Sequence, residues 1–190
     1  MWRSRHAAAG FLIECRRKPR RKTMNNIPEV KVALLAVSRD CFPRELSERR
    51  RARVALECDK KGLPVLECRT VLEGEKDIPA AEAELAALGA NALVIYLGNF
   101  GPEGPLSLIA QRFNGPVMLC AAAEQMADGL VEGRGDAFCG LLNASYNCGL
   151  RNLRVHVPER PVATPPEAAE LIAEFIPAAR VALGLRRLKI

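Results

Sequence analysis

Five short apolar runs, each parted from the next by a stretch of helix length, constrain this chain more than any other feature in it. They are Val30 to Val37, Leu63 to Arg69, Ala92 to Gly98, Gly115 to Ala121 and Arg154 to Val157. Strands alternating with helical segments are the pattern of a parallel sheet joined by crossover helices. The runs are continuous rather than alternating, as strands covered on both faces require. The expected fold is therefore α/β, a Rossmann-like (flavodoxin-like) open parallel sheet of about five strands with helices on both faces. With 190 residues at 49% hydrophobic content, one core is affordable and two are not.

The intervening segments carry helix punctuation. Arg44 to Lys61 sets Leu46, Val54, Ala55 and Cys58 on one side among many Arg and Glu, and stops at Gly62. The run Glu48 to Arg53 reads as a solvated helix face rather than a nucleic-acid patch. A second helix enters through Asp77, Ile78 and Pro79, spans Ala80 to Leu88 and closes at Gly89. A third is expected over Pro105 to Phe113, and a fourth over Asp136 to Leu150, where Phe138, Leu141, Leu142 and Ser145 stand at helical spacing. The last has Thr164 as N-cap, Pro165 at its first position and Glu167 completing a capping box, with Leu171, Ile172 and Phe175 as its apolar face. Pro177 is expected to bend or interrupt it. Leu188, Lys189 and Ile190 alternate like the start of another strand, which hints at truncation.

The net charge of +6 is confined to one end. Residues 1–23 hold eight Lys/Arg against Glu14, leaving 20 basic and 21 acidic residues for the rest. Residues 1–23 thus form a basic arm, expected to be disordered, and 24–190 the α/β domain. Met24 opens Met-Asn-Asn-Ile-Pro just before the first strand run, so the arm reads as translation upstream of the native start. The lesser readings are an Arg-rich transit peptide and a nucleic-acid-binding tail. Ala7 to Ile13 is too short for a secretory signal, and a basic cluster follows it. Seven cysteines without ligand spacing, and no apolar run of membrane length, suit a reducing cytoplasm.

In an open parallel sheet, ligands collect at the carboxyl ends of the strands. Ser38 to Pro43 follows the first strand, Gly98 to Gly104 the third and Ala121 to Glu124 the fourth. Arg39 can hold hydroxyl or phosphate oxygens, and Asp40 can accept from sugar hydroxyls. A surface pair of Arg39 with Asp40 or Glu103 is the competing role. Asn99 offers an amide and Phe100 a stacking face, against the plainer reading of a strand-to-helix turn with a core phenylalanine. Neither G-x-G-x-x-G nor G-x-x-x-x-G-K-[ST] follows the first strand, which disfavours dinucleotide and P-loop roles. His156 reads as a structural histidine, Cys41 and Cys139 have no partner histidine in the sequence, and no metal site can be assembled.

Four stretches together resemble the N-terminal region of L-fucose-isomerase-like proteins, over residues 28–190. They are Ser38 to Pro43, Tyr96 to Glu103, Gly133 to Ala137 with Leu142 to Asn147, and Ala179 to Leu185. The resemblance implies a cytoplasmic, homo-oligomeric aldose-ketose isomerase of carbohydrate metabolism that uses a divalent cation such as Mn²⁺. It also implies that the metal-binding Glu, Asp and His belong to later domains, that this domain covers a sugar substrate, and that Arg39, Asn99 and Phe100 match positions facing it. The Asn99-Phe100 turn differs from the Trp-containing loop of the better-known fucose isomerases. On this reading the chain holds no catalytic or metal-binding residue and is inactive alone. Its partners are the sugar, the C-terminal domains and neighbouring subunits, with no membrane and no nucleic acid. A stand-alone, non-enzymatic sugar-binding module of the same ancestry is one alternative, and a nucleic-acid-associated α/β protein acting through its basic arm is another.

Overall fold

The computed structural model describes residues 27–124, 133–186 and 188. The basic arm and the Lys189-Ile190 end lie outside them. The elements run β1 (Val32–Val37), α1 (Arg44–Lys60), β2 (Leu66–Leu72), a 3₁₀ turn (Glu75–Asp77), α2 (Ile78–Ala87), β3 (Ala92–Leu97), α3 (Glu103–Arg112), β4 (Val117–Ala122), α4 (Ala137–Leu150), β5 (Val162–Ala163) and α5 (Pro165–Arg186). All pairings are parallel, in the order β2-β1-β3-β4-β5. This is the flavodoxin-like order, in which the chain leaves β1 for one side and returns to the other, opening a crevice at the carboxyl ends of β1 and β3. Helices cover both faces, α1 packing with α5 and α3 with α4.

Every residue of β1, β3 and β4 is buried, as the unbroken apolar runs require. Gly62 and Gly89 take left-handed φ of 66° and 64° just past α1 and α2, where a β-carbon would be strained. At α5 the Glu167 carboxylate accepts from the Thr164 backbone N–H at 2.8 Å and its hydroxyl at 2.6 Å, the back-reaching half of a capping box.

Four expectations are corrected. The fifth run, Arg154 to Val157, contributes one bridge residue, His156 beside Met118, and β5 itself lies at Val162–Ala163. Pro158 follows directly and has no N–H to donate, so the chain leaves β4 and rejoins it after Pro161. Pro177 does not interrupt α5, because the buried line Ile172, Phe175, Ala179 and Leu183 continues across it. The Glu48 to Arg53 run is not wholly a solvated face, since Arg50 and Arg51 are both buried. On α4 the inward face is Ala137, Gly140, Leu141, Ala144 and Cys148, while Phe138 and Leu142 point outward.

Candidate functional site

An open cleft of about 630 Å³ lies over the carboxyl ends of β1 and β3, walled by Arg39, Asp40, Glu73, Lys76, Glu103 and, from α4, Asn147. It stands where the strand order predicts ligand binding. Its wall is mostly charged: Arg39, Asp40, Glu73, Lys76 and Glu103 all line an open mouth.

Arg39 is held from three sides. Its backbone N–H donates to Asn99 Oδ1 at 3.1 Å, its Nη1 to Glu103 Oε2 at 3.2 Å, and its guanidinium lies 4.9 Å from the centre of the Phe100 ring. Phe100 in turn stacks on Phe42, with ring centres 6.4 Å apart and planes within 5°. A guanidinium backed by an aromatic face and paired on one edge loses little rotamer freedom on binding, and four of its five donors remain beyond the Glu103 contact.

Of the three residues singled out from the sequence, Arg39 lines the cleft, Phe100 backs it and Asn99 lies beneath it. Asn99 is fully buried. Its Nδ2 donates to Ser38 Oγ at 2.8 Å and to the Pro43 carbonyl at 3.4 Å, while Oδ1 also accepts from Gly101 N–H at 3.3 Å. One side chain thereby ties the turn after β1 to the turn after β3. Gly101 is needed there twice over: its φ is +71°, and a β-carbon would stand 2.5 Å from Val37 Cγ2.

A second polar cluster stabilises the neighbouring turns. Arg50 Nη1 donates to the Gly98 carbonyl at 2.8 Å, and Nη2 to Glu124 Oε2 at 2.8 Å and to the Gly133 carbonyl at 3.0 Å. Glu124 Oε1 accepts from Gly135 N–H at 3.1 Å and Ala137 N–H at 3.4 Å. A carboxylate from outside the helix thus satisfies the N-terminus of α4, where Asp136 supplies no side-chain cap. Arg50 was hidden in a run of arginines, yet it occupies the four-residue spacing of Leu46, Val54 and Cys58, the buried line of α1. That position was the available signal. Glu73 and Lys76 carry no local signal, because only the tertiary fold brings them to the cleft, whereas Asn147 closes one of the stretches that carry the family resemblance.

Thiol chemistry has little support. Burial pushes the Cys58 thiol up to about 11 and those of Cys68 and Cys120 up to about 12, which keeps them protonated and unreactive. Cys41 and Cys139 are exposed. The His156 ring stacks on Phe175 with centres 5.8 Å apart, away from the cleft wall. Among the described residues no group of three or more His, Cys, Asp or Glu is arranged to hold a metal ion, and no helix is long and apolar enough to cross a membrane. The donor set among the described residues therefore does not fit a divalent cation.

No curated protein matches the chain. Among solved structures, it is similar to the crystal structure of a Treponema denticola PurE2 variant, at 13% identity and a TM-score of 0.48, over 83% of this chain and 88% of that one. The family model described as the fucose/sulfoquinovose isomerase N-terminal domain matches residues 33–186, and the chain, carrying the four motif stretches over that same fold, belongs to this family.

Proposed function

We propose that this domain is a substrate-covering wall of an aldose-ketose isomerase acting in carbohydrate metabolism, with Arg39 as its contact to sugar oxygens. The carrying observation is the charged cleft at the β1/β3 switch point, with Arg39 held ready in its wall. Sugars present fixed pairs of hydroxyls, which guanidinium forks and carboxylates match with directed hydrogen bonds. Arg39, Asp40 and Glu103 supply that mixed set from two adjacent turns. Asn99 and Phe100 act as positioning residues, the first fixing the backbone of Arg39 and the second its guanidinium plane.

Moving hydrogen between adjacent sugar carbons needs a polarising cation and a group that handles protons. In this reading Mn²⁺ or a similar ion, with its ligands, comes from outside this chain, within a homo-oligomeric enzyme of the cytoplasm. The domain orients the substrate and excludes water, a contribution that proximity effects make worth several kcal/mol. A stand-alone sugar-binding module would use the same cleft without the partner domains.

Titration of the ¹⁵N-labelled chain with L-fucose and with sulfoquinovose tests the contact. Amide shifts are expected to cluster at Arg39, Asp40 and Glu103, and to vanish in Arg39→Ala. Shifts confined to other surfaces, or unchanged by that substitution, would overturn the assignment.

A further inference from the structure

Helix α4 shows solvent an apolar ridge. Phe138, Leu142, Tyr146 and Leu150 recur every four residues and are 51% to 65% exposed. The helix reads AFCGLLNASYNCGL, without one charged side chain in 14 residues. A surface helix ordinarily buries its large apolar residues and turns charges outward. Here the order is inverted. Gly140 lies directly on the Phe100 backbone, so the inward face must be small and the bulky residues are left outside.

We infer that α4 is the contact between two copies of this chain, packed antiparallel about a two-fold axis at the level of Ala144. The pattern is self-complementary. Reversing one copy about that level sets Phe138 against Leu150 and Leu142 against Tyr146, so each aromatic ring meets a leucine at all four positions. An absence of charge means that the ridge meets its own copy without repulsion, which an isologous contact requires. Four side chains this exposed present on the order of 400 Å² of apolar surface, the scale of patch that marks an interaction site. Two copies together remove at most about twice that, below the roughly 1,200 Å² of a stable standard-size interface, so the association is expected to be concentration-dependent. Ridges along i, i+4 rows interdigitate best at a crossing angle of about −50°. Because Asn147 of the same helix lines the cleft, the contact would set the two clefts on either side of the shared axis.

This deepens the oligomer named in the functional reading but rests on residues other than Arg39, so either can fail while the other stands. The test is sedimentation analysis of the chain over a concentration series. The unaltered chain is expected to be dimeric. A Leu142→Lys, Tyr146→Lys variant and a Leu142→Glu, Tyr146→Glu variant should each be monomeric, and an equal mixture should form the heterodimer. Single Leu142→Ala and Tyr146→Ala changes add no charge and should weaken the dimer by about tenfold or more; they decide the matter if the charged variants do not fold. A monomeric unaltered chain overturns the inference. So do charged variants that still dimerise, a mixture that stays monomeric, and alanine variants that associate as tightly as the parent.

Discussion

Gly140 and Gly149 belong to the same helix and are expected to respond oppositely to the same substitution. A β-carbon at Gly140 would collide with the carbonyl oxygen and backbone carbons of Phe100, whereas at Gly149 it would meet nothing within 4 Å. Gly140→Ala should therefore lower stability by about 1 to 3 kcal/mol, as overpacking does. Gly149→Ala should raise it by about 0.5 to 1 kcal/mol through helix propensity. Denaturant unfolding of both variants measures the contrast. At this scale the sequence was only partly legible. Arg39 could be placed by its position after a strand, since strand ends in parallel sheets have a known relation to ligands. That the Asn99 amide would be consumed by Ser38, Pro43 and Gly101 depends on distances across the sheet, which no local pattern encodes.

Among the elements, β2 takes a side-chain tie from α2 in addition to its pairing with β1. Its pairing with β1 slips between Leu34 and Ala36, and within the matching stretch the Glu84 carboxylate of α2 accepts from Arg69 N–H at 2.6 Å and Thr70 N–H at 2.9 Å. Burial pushes the Glu84 pKa up, but these hydrogen bonds outweigh it and leave the pKa below the ordinary carboxylate value. A depressed folded-state pKa means stability that is present above the unfolded value, about 4.3, and lost as pH falls through the folded one. Glu84→Gln is expected to cost about 1 to 2 kcal/mol at pH 7, lowering the melting temperature by a few degrees. The gap between parent and variant should close as thermal melts are repeated from pH 5 toward pH 2. The helices themselves were readable from glycine stops, the Thr164 cap and proline placement. The faces of α4 were not, because reading large apolar residues as core fails where a backbone below admits only small ones.

For the whole molecule, the alternation of runs and spacers foreshadowed an open parallel sheet with helices on both faces, whereas the order β2-β1-β3-β4-β5 depends on which strands meet in space and is not written in that alternation. If the cation and its ligands come from outside this chain, as proposed, then with the cleft present and no cation-holding cluster among the described residues, the purified chain supplied with Mn²⁺ and L-fucose should give no detectable ketose. Any turnover that tracks the protein and disappears with a chelator would show that the chain completes a reactive centre by itself.

The two margins of the sheet are each partly closed to another strand. On one side Glu84 occupies two amide groups of the edge strand β2, those of Arg69 and Thr70. On the other, β5 is two residues long and flanked by a loop carrying Pro158 and Pro161. Growth by adding strands is thereby blunted at both borders, which leaves helix surfaces and loop tips as the places where another molecule can be met.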